Sequence, residues 1–152
     1  ILSLHGLPGK VAFDEGNVRV SALKDNLLTV RSVREQRLVT ELKRKLRLMY
    51  NLSCFGKTHN EAFMEMGFDA SIGSKGVNAN AEIEFPSALG LWQFGASVEQ
   101  ALAPTNNPAA IAANDQPLRA FGAMTGREML QQVDSMKVIL GNKHLTINSN
   151  PQ

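Results

Sequence analysis

The chain has 152 residues, with 16 basic and 14 acidic side chains and a net charge of +2, so it has no global polyelectrolyte character pointing to nucleic acid. Its length fits one domain or two very small ones, and seven Phe, one Trp and one Tyr do not favour a large aromatic core. A single cysteine, Cys54, excludes an intrachain disulfide scaffold and reads as a small buried or half-buried hydrophobe.

The first residue is Ile1 rather than Met, which leads us to expect a processed or partial chain. Ile1 to Leu7 lacks the charged lead and long apolar core of a signal peptide. Residues 1–16 contain Gly6, Pro8, Gly9 and Gly16 and read as a loop or irregular lead-in.

From Asn17 the pattern changes. Val20, Leu23, Leu27, Val30, Leu38, Leu42, Leu46 and Met49 recur at mostly three- and four-residue steps, which is a helical period. Asn17 suits the N-cap, and no Gly or Pro intervenes before Gly56. The spacing predicts one helix of about 35 residues, roughly 50 Å long. A helix of that length needs a neighbouring long helix or other subunits to cover it.

The same stretch is basic. Arg31, Arg34, Arg37, Lys43, Arg44, Lys45 and Arg47 face only Glu35 and Glu41 as counter-charges. One reading is a solvated face with i,i+4 pairs such as Arg37–Glu41. Another is a strip facing DNA or lipid phosphates, and a third is a face for a partner protein. No aromatics interleave with it, which argues against stacking on single strands.

A second helix is predicted over residues 59–70, with Thr58 and Glu61 at capping-box spacing. Residues 73–80 read as a flexible connection rich in Gly and Asn, too short and unsupported for a phosphate cradle. Glu82 to Phe85 alternate as a short extended segment, so Glu82 and Glu84 are expected on one solvent-facing side. Pro86 sets a boundary and Ser87 is placed to cap a third helix of about 16 residues.

That third helix is apolar nearly all round. One reading is a buried core helix; otherwise Leu89, Gly90, Leu91, Trp92, Phe94, Gly95 and Val98 form a candidate membrane or subunit interface. At roughly 24 Å it falls short of the hydrocarbon core of a bilayer. Residues 103–117, with Pro104, Pro108 and Pro117, read as a linker. A last helix is predicted from Thr125 to Leu140 with Gly141 after its C-terminus. Leu145 and Ile147 then alternate, as in a short strand.

The predicted fold class is therefore mainly α: one long helix plus two or three shorter ones joined by Gly/Pro/Asn-rich loops, elongated and dependent on oligomerisation. Three segments follow: 1–58, the lead-in and long basic helix; 59–102, the short helix, linker and apolar helix; and 103–152, the Pro/Asn-rich linker and C-terminal helix. No catalytic constellation and no metal-ligand spacing emerges. His5, His59 and His144 read as surface residues, and no cofactor motif is present. The expectation is a chain that is not an enzyme.

Two short motifs carry a family resemblance. Glu15-Gly16-Asn17 precedes the charged helix, and Phe85-Pro86-Ser87-Ala88-Leu89-Gly90-Leu91-Trp92-Gln93-Phe94-Gly95 enters an apolar one. Over about residues 10–102 the chain resembles the smallest internal virion (ejection) protein of short-tailed, podovirus-type bacteriophages. An Ala- and Gln-rich helix usual in that family before the Pro-Ser is here the Gly- and Asn-rich segment 73–80, and residues 103–152 match no part of the pattern.

The resemblance implies a core protein inside the virion, packed near the portal as a homo-oligomeric ring or tube with the larger internal proteins. It further implies delivery into the host envelope to help form a DNA-translocation channel, with DNA and host membrane as contacts. The alternatives from the residues alone are another oligomeric phage or secretion-apparatus component, such as an adaptor, and a DNA-binding helical module.

Overall fold

The computed structural model describes residues 6–13, 16–28, 33–43 and 46–149. The expected mainly α fold with one long helix is not what forms. Among the described residues there are seven α-helices and two three-stranded sheets.

The N-terminal segment folds as an antiparallel meander of β1 (Gly6–Leu7), β2 (Lys10–Phe13) and β3 (Gly16–Arg19), where a loop is expected from its glycines. Asn17, the expected N-cap, pairs with Ala12 inside this sheet. Helical residues follow in the two described stretches α1 (Val20–Leu28) and α2 (Val33–Lys43). The predicted continuation to Met49 instead becomes strand β4 (Leu48–Tyr50). Leu46 and Met49 fit a helical stripe, but a short apolar run satisfies strand alternation equally well. Tertiary pairing decides the matter, because Leu48, Met49 and Tyr50 lie in parallel register with Ala70, Ser71 and Ile72.

After β4 come a 3-10 turn (Gly56–His59) and α3 (Asn60–Met66). A helix is expected here, but the Thr58 cap is not used. Its hydroxyl donates to the Phe55 carbonyl at 2.8 Å and accepts from the Gly9 N–H at 2.8 Å. Strand β5 (Ala70–Ser74) then takes residues expected to be a flexible connection. All five are buried, which marks a central strand covered on both faces. One face packs Ala70 and Ile72 with Tyr50, Ala88, Val98, Leu102 and Leu145. On the other, Ser71 Oγ donates to Asn60 Oδ1 of α3 at 2.9 Å, and a smaller cluster joins Val20 of α1 to Phe63 and Met66 of α3.

Helix α4 (Ala81–Gln93) begins where an extended segment is expected, and runs through Pro86. The proline sits early in the helix and forfeits only the bond to Glu82, whose residue is solvent-exposed. The predicted helix over 87–102 is cut in two. Gly95 adopts a φ of +92°, a left-handed conformation that ends α4. Ser97 then caps α5 (Val98–Leu102) through a capping box with Gln100.

The expected linker at 103–117 is largely helical. Helix α6 (Pro108–Thr125) starts with Pro108 in its first turn and the Asn107 side chain accepting from Ala110 N–H. The predicted helix 125–140 resolves into a short α7 (Glu128–Gln131) and strand β6 (Lys137–Gly141), antiparallel to β5. The mixed sheet β4–β5–β6 thus takes one strand from each of the three sequence segments. Leu145, expected in a short strand, lies in a turn and contributes to the main core.

Two buried polar networks fasten these layers. The first centres on Lys137, whose side chain is 1% exposed. Its ammonium lies 2.5 Å from Glu84 Oε2, donates to Asn78 Oδ1 at 3.1 Å and donates to the Ser135 carbonyl at 3.0 Å. Its backbone is clasped by Asn106, which accepts from Lys137 N–H at 2.6 Å and donates to the Lys137 carbonyl at 3.0 Å. Glu84, expected in solvent, is therefore buried. Burial pushes its carboxyl pKa up, against the opposing charge and hydrogen bond of Lys137.

The second network centres on His59, expected at the surface and in fact fully buried. Asn51 Oδ1 accepts from the Ser53 N–H at 3.0 Å and the Ser53 hydroxyl at 2.6 Å. That turns the Asn51 amide toward His59 Nδ1 at 2.9 Å, so the ring accepts there and donates from Nε2 to the Leu7 carbonyl at 3.1 Å. A proton on Nδ1 would face another donor. Burial lowers the His59 pKa below its ordinary value, with backbone hydrogen bonds opposing.

These networks generate two predictions. Lys137→Met leaves a buried carboxylate unpaired and costs about 3–5 kcal/mol in urea unfolding, whereas Glu84→Leu combined with Lys137→Met recovers most of that loss. Equal losses in both variants would place the cost in the bonds from Lys137 to Asn78 and Ser135. For His59, the unfolded chain takes up a proton near pH 6.5 and the folded chain resists it. Stability is therefore full above that pH and falls as pH drops toward the folded pKa, with a slope of at most ~1.4 kcal/mol per pH unit. Denaturation between pH 7 and 5 should show this loss in the wild type relative to His59→Gln, and identical profiles would exclude His59 as its source.

Candidate functional site

Three features of the folded chain can meet another molecule. They are an apolar cavity, a projecting helical arm and the basic segment before β4.

The cavity lies between the mixed sheet and helices α4 and α5 and has a volume of about 370 Å³. Tyr50 and Ile72 of the sheet, Phe85, Ala88, Leu89 and Trp92 of α4, and Val98, Ala101 and Leu102 of α5 line it. Leu46 and Arg47, just before β4, complete one side. Its described side chains are apolar except for Arg47, Tyr50 and Trp92. Arg47 Nε, Tyr50 Oη and Trp92 Nε1 are each buried and have no hydrogen-bond partner in the protein. Arg47 uses Nη2 to donate to the Thr146 carbonyl at 3.0 Å, and Tyr50 packs edge-on to Phe85.

The candidate interface set predicted on one apolar helix is split by this arrangement. Leu89, Trp92 and Val98 line the cavity, and Val98 is 2% exposed. Gly90 faces open space, while Leu91 is exposed and Phe94, at the end of α4, is 93% exposed. Gly95 marks the break between α4 and α5. Among the described residues no helix is long and apolar enough to cross a membrane.

The candidate phosphate-facing set does not form one strip on one helix. Arg34, Arg37 and Lys43 lie on α2, where Arg37 is exposed. Arg31, Arg44 and Lys45 fall outside the described residues. Arg47 is half-buried, bonded to Thr146 and part of the cavity wall, so it is not a free phosphate ligand.

The arm was not foreseen. The first half of α6 is anchored by buried Ile111 and by Asp115, whose carboxylate is fully buried and accepts from Ser135 N–H at 2.8 Å. Beyond it, between residues 116 and 132, only Gly122 is buried. The helix doubles back as α7, and a Cβ at Gly122 would stand 2.6 Å from that of Leu130, so glycine permits this close packing. The arm leaves Phe121 48%, Met124 85% and Met129 48% exposed, with Arg127 over the Phe121 ring.

Among the described residues no group of three or more His, Cys, Asp or Glu side chains is placed to hold a metal ion. Cys54 is half-buried, and its sulfur accepts from Asn78 N–H at 3.4 Å. No protein-family model, curated protein or solved structure matches the chain.

The different settings of the basic residues give a direct check. Arg37→Ala on exposed α2 should change unfolding stability by no more than about 0.5 kcal/mol. Arg47→Ala should cost about 1–3 kcal/mol, through its lost bond to Thr146 and its packed stem. Equal effects by chemical denaturation would mean that Arg47 is as free as Arg37.

Proposed function

We propose that this chain is a non-catalytic structural protein that works by assembling with copies of itself. The projecting α6–α7 arm carries the reading, because it places Phe121, Met124 and Met129 in solvent and away from the core. Such side chains, kept together on a protruding hairpin, are the anatomy of a contact element. A second apolar surface at the end of α4 exposes Leu91 and Phe94. Two unlike surfaces on one chain favour a head-to-tail contact, which closes into a ring or extends into a tube.

The particular role we propose is that of an internal virion protein of a short-tailed phage, packed with other core proteins near the portal and delivered with the DNA into the host envelope. The Glu15–Asn17 and Phe85–Gly95 motifs support this role, as does a chain suited to rings or tubes. The exposed Arg37 on α2 supports a DNA contact in the same setting. Recovery of the chain in several copies from purified phage particles, by quantitative mass spectrometry, tests the role directly.

Assembly itself is tested by sedimentation. The wild type should form closed or extended oligomers, and Met124→Asp and Phe94→Asp should each yield monomers. Mixing the two variants should restore one intact contact and produce a dimer that grows no further. Two variants that stay monomeric when mixed would exclude a head-to-tail contact between these surfaces.

A further inference from the structure

We propose that the cavity between the mixed sheet and α4–α5 binds a monocarboxylate with a long hydrocarbon body, its head beside Arg47 and its chain between Ile72, Ala88 and Leu102. The volume of about 370 Å³ lies within the range of small-molecule sites, and most of the lining is carbon. An apolar space of this kind selects a hydrocarbon body by burial alone.

The head is chosen by the three orphaned polar atoms. Arg47 Nε and Trp92 Nε1 can only donate, and Tyr50 Oη can donate. The complement of these donors is a group rich in acceptors. Arg47 also brings a positive charge, and among the described residues no carboxylate lines the cavity and none forms an ion pair with it. A carboxylate head meets both conditions, whereas an alcohol or an amine does not.

Trp92 is the only tryptophan, so its emission reports the cavity without a label. The experiment titrates the full chain with dodecanoate below its micelle-forming concentration, with dodecanol and acetate as comparators. Expected is a saturable change in Trp92 emission with dodecanoate, at least tenfold tighter than with dodecanol, and none with acetate. Arg47→Met should abolish the preference for acid over alcohol. Ala88→Leu, which adds carbon to the wall, should weaken both ligands at least tenfold. No saturable response to dodecanoate, equal affinity for acid and alcohol, a response to acetate alone, or full binding by Ala88→Leu would each overturn the proposal. If Arg47→Met does not fold, the acid–alcohol comparison on the wild type decides the head group.

Discussion

The buried ammonium of Lys137 is the constraint on which the rest of the arrangement turns. An unpaired charge in that position is very costly, so the chain must deliver acceptors to it. Glu84 comes from the first turn of α4, Asn78 from the segment after β5, and the Ser135 carbonyl from the approach to β6. Asn106 adds a clasp on the Lys137 backbone from the turn before α6. Three stretches far apart in sequence, 78–84, 106 and 135–137, are thereby held at one point. Ala79 N–H donating to Ser135 Oγ, and Ser135 N–H donating to Asp115, extend the same network to the root of the arm.

The cavity and the arm are consequences of that fastening. With α4 held at its N-terminal end by Glu84 and α5 packed through Val98, Ala101 and Leu102, the small side chains Ala88 and Ala101 leave space over Ile72 that no bulkier group fills. With α6 held at Asn106 and Asp115, its second half extends beyond the core and folds back only on α7. One anchored region thus supports both a half-open apolar pocket and an exposed apolar surface, and the two call for different occupants.

The apolar helical periodicity after Asn17 holds in pieces, since α1 and α2 do form within it. What periodicity could not show is that Leu48 to Tyr50 would pair with Ala70 to Ile72, because a pairing partner about twenty residues away leaves no local mark. Residues 73–80 look like a linker by composition, yet Gly73 and Ser74 finish a strand that is buried at every residue. Small residues there let the turn at Gly56 lie against the strand, so burial is achieved by close backbone approach rather than by bulky apolar groups. Glu84 and His59 read as solvent-facing for a related reason. A polar side chain reads as solvent-facing until the partners that satisfy it are known, and those partners, Lys137 and Asn51, lie on other elements.

The sequence by itself determined the apolar character of residues 87–102, the absence of an intrachain disulfide, and the basic bias before β4. Each of these depends on residues within a few positions of one another. Only the tertiary structure decided that the apolar segment is two helices around a cavity, that Arg47 belongs to its wall rather than to a strip, and that the proline-rich stretch is the root of a helical arm. Those outcomes depend on where buried charges and unpaired backbone groups find partners, and the partners are supplied by residues distant in sequence.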